Sequence, residues 1–167
     1  RAALESGGAG PVEEAPPEVK IELPVDAHVP HDYAPGERLR LQAYRSIAAA
    51  ATEEDIASVR EELTDRYGPL PEPVENLLLV AGLRMLARSV GVSDITLQGN
   101  KIRFSPVELR ESQELRLKRV YPGSVVKTAS HQVLVPRPKP AGIGGQPVTG
   151  RELLAWVGEF LTTVPGS

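Results

Sequence analysis

Residues 73–105, PVENLLLVAGLRMLARSVGVSDITLQGNKIRFS, change their hydrophobic period part-way along. As far as Ser89 the apolar residues Val74, Leu77, Leu78, Ala81, Met85 and Leu86 recur at three- and four-residue steps, the pattern of a helix with a broad buried face. This helix is expected from about Pro73 to Ser89, with Gly91 just past its end, and its wide apolar face makes it central. From Asp94 the period falls to two. Ile95 and Leu97 alternate with Asp94, Thr96 and Gln98, and Ile102 and Phe104 alternate with Lys101, Arg103 and Ser105. Gly99-Asn100 between the two runs suits a tight hairpin turn, because glycine accepts positive φ and asparagine tolerates it. A central helix leading into hairpins predicts an α+β fold, with helices packed on a small antiparallel sheet.

Toward the N-terminus, Thr52 and Asp55 form an acidic variant of the capping box, opening a helix whose stripe is Ile56, Val59, Leu63 and Tyr67. Gly68 and Pro69 stop it, and Pro69, Pro71 and Pro73 stiffen the connection. An earlier helix, about Glu37 to Ala51, carries Leu39, Ala43, Tyr44, Ile47 and Ala51 on one face. Val19, Ile21 and Leu23 alternate with Lys20 and Glu22 as a short strand ended by Pro24. Residues 1–18, rich in Gly, Ala, Glu and Pro, read as a flexible linker before a folded domain over 19–167.

Toward the C-terminus, a helix over Ser112 to Val120 and a hairpin of Val125–Ala129 with Gln132–Pro136 are expected. Residues 136–147 read as a mobile Pro/Gly loop. The last helix starts at Thr149, where Glu152 completes a second capping box, and Leu153, Val157, Phe160, Leu161 and Val164 form its inner stripe with Trp156 to one side. The first half is thus helix-rich, and the second holds hairpins and a C-terminal helix.

The composition narrows the chemistry. The 167 residues contain no cysteine, which excludes disulfides, thiolate metal sites and a cysteine nucleophile, and is compatible with a reducing cytoplasm. Aromatics are 4%, so the core must be aliphatic. No apolar run approaches the ~18 residues of a membrane span, and no signal peptide opens the chain. The chain starts at Arg1 without an initiator methionine and reads as a piece of a longer parent.

Candidate sites are few. Asp26, His28, His31 and Asp32 contain metal-ligand chemistry, but Pro30 interrupts them and the helical His-Glu-x-x-His spacing is absent, so no metal is assigned. No serine elbow occurs, and the glycines at 142–145 lack a following Lys-Ser or Lys-Thr. No catalytic residue is therefore assigned. Residues 110–140 hold seven bases and two acids. Arg116, Lys118 and Arg119 there are possible nucleic-acid contacts, although Tyr121 is the sole aromatic that could stack on a base. The alternative is a solvated charged face. Glu62, Asp65 and Arg66, at i, i+3 and i+4, share one face near the end of the second helix. They form either a local pair of Glu62 with Arg66 or a patch that meets a partner.

The run Asp26-Ala27-His28-Val29-Pro30-His31-Asp32-Tyr33, then Arg38-Leu39 and Tyr44-Arg45-Ser46-Ile47-Ala48, then Glu62-Leu63-Thr64-Asp65-Arg66-Tyr67-Gly68-Pro69-Leu70-Pro71, resembles the C-terminal domain of bacterial transcription-repair coupling factors. The similarity is strongest over residues 19–90 and continues more weakly to the last helix, with the loop at 136–147 a departure. The resemblance implies a parent that is a cytoplasmic, ATP- and magnesium-dependent translocase on double-stranded DNA. It implies removal of stalled RNA polymerase at lesions and recruitment of nucleotide excision repair through UvrA. The domain itself would need no cofactor. It would be autoinhibitory, packing on the N-terminal UvrB-like module of the same chain and masking the UvrA-binding surface. Glu62, Asp65 and Arg66 match the family positions of that interdomain contact. The alternative is an accessory DNA-contacting domain using residues 110–140.

Overall fold

The computed structural model describes residues 18–138 and 149–166. The expected linker (apart from Glu18) and most of the expected loop at 136–147 lie outside the described residues; Pro136 itself ends a strand. In chain order the elements are β1 (Lys20–Glu22), α1 (Glu37–Ala49), α2 (Glu53–Tyr67), α3 (Glu72–Ser89), β2 (Asp94–Gln98), β3 (Lys101–Ser105), α4 (Glu111–Val120), β4 (Val125–Lys127), β5 (Gln132–Pro136) and α5 (Gly150–Thr163). The fold is α+β, as the switch of period predicts.

The sheet order is β1-β2-β3-β5-β4. The β2–β3 hairpin turns at Gly99, φ 65°, and pairs Ile95 with Phe104 and Leu97 with Ile102, so all four side chains face one core. The sheet is mixed rather than wholly antiparallel, because β1 pairs parallel to β2, Ile21 beside Ile95. A parallel pair needs a long crossover, and α1, α2 and α3 supply it. The expected second hairpin is shorter on its first strand: β4 stops at Lys127, and Thr128–Ser130 form a 3-10 turn closed by His131 at φ 55°.

Two apolar clusters meet at α3. Val74, Leu78 and Ala81 of α3 pack with Ala43 and Ile47 of α1 and Val59 and Leu63 of α2. Val80, Leu83 and Ala87 of the same helix pack with the sheet and α5. These three lie outside the stripe expected from sequence, because α3 buries two faces and a search for one stripe finds only one. The helices therefore form two layers: α3 and α5 cover the sheet, and α1 and α2 pack on α3. Phe104 and Phe160 stack at 4.1 Å in the larger cluster, both fully buried. Each contributes about 1.5–3 kcal/mol by burial.

One expected cap is absent. Thr149 occupies the N-cap of α5, but its side chain accepts no hydrogen bond from the helix. Gly150, the first helical residue, has φ 62° and donates its N–H to the Pro24 carbonyl at 3.1 Å. That positive φ rotates the first turn away from the geometry a capping box needs. Trp156 lies beside the core as expected, in ring contact with Tyr121 and Phe160.

Candidate interdomain-contact surface

The polar feature that stands out is the C-terminal half of α2, and its placement follows from how both ends of the helix are tied. At the start, Thr52 Oγ1 accepts the Asp55 N–H at 3.0 Å, and Asp55 Oδ2 accepts the N–H groups of Ala51 and Thr52 at 2.9 and 3.2 Å. The capping box read from the sequence is present. The Ala51 amide is the main cause holding the Asp55 carboxyl below its ordinary pKa; it outweighs the opposing desolvation, and Thr52 adds to it. At the other end Gly68, φ 94°, leaves the helix while its N–H still bonds Thr64 at 2.9 Å.

Tyr33 locks this end. Its hydroxyl donates to the carbonyls of Gly68 at 2.9 Å and Leu63 at 3.1 Å, and its ring lies 5.5 Å from that of Tyr67. One proton is shared by two carbonyls at the helix end: Leu63, which the helix already bonds through Tyr67, and Gly68, which lies past the last turn. Burial raises the Tyr33 pKa, and Tyr67 raises it further. Nothing in the sequence around Tyr33 marks this role. No local signal reports that a tyrosine in a turn reaches a backbone carbonyl thirty-five residues away.

Glu62, Asp65 and Arg66 are all exposed on α2. Glu62 and Arg66 pair at 3.6 Å, with side chains 52% and 45% exposed. At that exposure an i, i+4 pair contributes only about 0.3–0.5 kcal/mol. The Arg66 guanidinium also sits 5.5 Å from the centre of the Tyr67 ring. Beside them a polar groove of about 320 Å³ opens against Gln42, Arg45 and Ser46 of α1. Both readings of the triplet thus have a basis: the local pair exists, and it is weak and solvated enough to be exchanged for a partner's charges.

The basic stretch is spread over α4, β4 and the end of β5. Arg116 donates to the Thr163 carbonyl at 3.3 Å, tying α4 to the end of α5, and Lys118 pairs with Glu114 at 3.5 Å. Arg119 and Lys127 are exposed, and Lys139 lies outside the described residues. The Tyr121 ring packs edge-on against Trp156 and Phe160, so it belongs to the core margin and not to a stacking platform. Of the histidine segment, His28 Nδ1 meets Asp26 Oδ1 at 2.7 Å, and among the described residues no three metal-ligating side chains converge. The same segment is pinned by Asn76, 3% exposed, whose amide donates to the Asp26 carbonyl at 2.8 Å.

Fold and surface together define a small α+β domain that displays a charged helix end on a helix hydrogen-bonded at both of its ends. Comparison with known proteins narrows the class. The model of the TRCF domain family matches residues 23–117, more than half of the chain. The chain belongs to that family. A transcription-repair-coupling factor of Mycobacterium tuberculosis (strain CDC 1551 / Oshkosh) is 44% identical over 154 residues, which cover 92% of this chain and 12% of the relative. One of Escherichia coli (strain K12) is 37% identical over 84 residues, covering 50% of this chain and 7% of the relative. The chain thus spans about an eighth of the mycobacterial protein's length. Among solved structures, the crystal structure of the C-terminal domain of a transcription-repair coupling factor aligns with a TM-score of 0.67 over 89% of this chain and 94% of that one. At 17% identity that likeness is one of fold. The family match reaches Leu117 in α4, beyond the stretch of strongest resemblance at 19–90.

Proposed function

We propose that this domain is the non-catalytic, autoinhibitory interaction module of a longer transcription-repair coupling factor. In this reading the parent is an ATP-dependent translocase on double-stranded DNA that removes stalled RNA polymerase at lesions and recruits nucleotide excision repair through UvrA. ATP and magnesium belong to its motor domains, and it works in the cytoplasm; among the described residues no helix is long and apolar enough to cross a membrane. At rest, the end of α2 docks on the N-terminal UvrB-like module of the same chain and masks the UvrA-binding surface.

The observation that carries this reading is the display of Glu62, Asp65 and Arg66 on a helix end fixed by Tyr33 and Gly68. A regulatory contact has to open. Its strength must stay within a few kcal/mol, because a ligand shifts a two-state equilibrium only by its differential affinity. Half-exposed charges meet that requirement, since desolvation offsets much of their attraction. Their fixed placement lowers the ordering cost of docking. The alternative, a DNA contact through residues 110–140, has less support, because Arg116 is tied to Thr163 and Tyr121 packs against Phe160 within the domain, although Lys118 and Arg119 stay exposed.

The test is Asp65→Ala combined with Arg66→Ala in the full-length parent. Both residues are exposed, so the domain stays folded by circular dichroism. UvrA binding and basal ATPase are expected to rise. Wild-type values for both activities refute the latch.

A further inference from the structure

A second surface lies on the opposite side of α2. Helices α2, α3 and α5 enclose an open trough of about 990 Å³. Its floor is α3. Arg60 of α2 pairs with Glu75 at the start of α3, and Ile56 lies over Gly82, so α2 runs antiparallel to α3. On the far side Arg151 approaches Glu75 at 3.9 Å and Gly158 faces Leu83, so α5 runs parallel to α3. The trough extends along α3 from Glu75 to Leu86, about 16 Å at 1.5 Å per residue.

Its surface is apolar and partly unfilled. Leu79 is 37% exposed and Met85 is half-buried. Small residues widen it: Ala57 on one wall, Ala155 on the other and Gly82 on the floor. A Cβ built on Gly82 meets only Ile56 Cδ1, at 4.0 Å. Glycine inside a helix costs about 1 kcal/mol against alanine, and here it lets another backbone come close. The lining backbone is helical, with its N–H and C=O groups already paired. An extended peptide would therefore bury its own polar groups without partners. A helix brings them satisfied, and three further turns laid between two helix walls follow ordinary helix packing.

Charge sets the occupant's end. Two arginines share the single carboxylate of Glu75, and Arg151 holds it only loosely, with its side chain 58% exposed. Among the side chains that line this end, Arg60 and Arg151 thus face one carboxylate, while Glu53 lines the opposite end. The geometry points to a docking site for an amphipathic helix of a protein partner, aliphatic on the docked face and bearing a carboxylate in the turn that meets Arg151. This site is separate from the Glu62, Asp65 and Arg66 face, and the inference does not depend on the latch.

The probe is an Ala/Leu/Gln helix of about 15 residues, stapled by a separate Lys–Asp side-chain lactam on its exposed face and long enough to hold helical form. It carries leucines at i, i+3, i+4 and i+7 and a glutamate in its first turn, and binding to the 167-residue chain is read by fluorescence anisotropy. Saturable binding is expected, weakened about tenfold or more by Gly82→Leu, which fills the floor. Replacing the probe's glutamate by glutamine, or Arg151→Gln in the chain, should each weaken it about two- to threefold. Ala155→Leu is the second filling variant, at an exposed site, should Gly82→Leu not fold. No saturable binding up to about 1 mM, or equal binding by a probe with its leucines scrambled, overturns the site. Sedimentation of the chain alone is run beside it. A dimer abolished by Gly82→Leu would make the occupant a second copy and refute the partner helix.

Discussion

Removing the Tyr33 hydroxyl tests how the end of α2 is held. In Tyr33→Phe the ring contact with Tyr67 remains, and only the donor to Gly68 and Leu63 is lost. The proton is shared, so the loss counts as one hydrogen bond, about 1 kcal/mol. The Gly68 carbonyl must then find water while Leu63 keeps its helical bond, so the expected cost is about 1–2 kcal/mol. For a domain of this size that is a fall of roughly 3–6 °C in Tm, measured by circular dichroism at pH 7. Hydrogen exchange gives the local readout: protection should fall at residues 65–68 and hold at residues 56–59, because only the last turn is released. The pH dependence supplies a third arm. The folded-state pKa of Tyr33 is raised above 10.0, by burial first and by Tyr67 second. A raised pKa contributes stability in full below the unfolded value and loses it as pH rises through the folded one. Phenylalanine has nothing to ionise, so the gap between wild type and Tyr33→Phe should narrow above pH 10. A Tm shift below about 1 °C, or an unchanged gap at high pH, refutes the reasoning.

Two further outcomes follow from the same geometry. Asp55→Ala should lower the thermal midpoint at neutral pH, and the gap should close as pH falls below 3.8, the ordinary value from which the Asp55 pKa is depressed. A depressed carboxylate stabilises above its unfolded pKa and loses that contribution below it, so a gap constant down to pH 3 would count against the cap. Arg116→Gln should reduce stability in urea by about 1 kcal/mol through loss of its bond to Thr163, with duplex-DNA affinity at low salt unchanged. The opposite result, intact stability with lost DNA affinity, would make Arg116 a phosphate contact.

Much of the local architecture is legible in the residues themselves. The Thr52–Asp55 cap, the exit at Gly68 and the hairpin at Gly99-Asn100 are short-range devices, and each sits where the residues predict. The triplet on α2 was also legible, because residues three and four apart share a helix face in any context. The Thr149 cap failed for a non-local reason: the tie from Gly150 to Pro24 spans more than a hundred residues. The roles of Tyr33 and Arg116 were hidden in the same way, since a side chain's reach across the fold leaves no periodicity in the sequence.

The sequence by itself therefore determined the kinds of element, most of their boundaries, the α+β class and the charges that α2 displays. These depend on hydrophobic period, caps and turn residues, all acting within a few positions. Only the tertiary structure decided that β1 joins the sheet in parallel, that α3 buries two faces, and that α2, α3 and α5 leave an open trough between them. Those outcomes depend on which surfaces meet once the chain collapses, and packing is a property of pairs of elements that no single segment encodes.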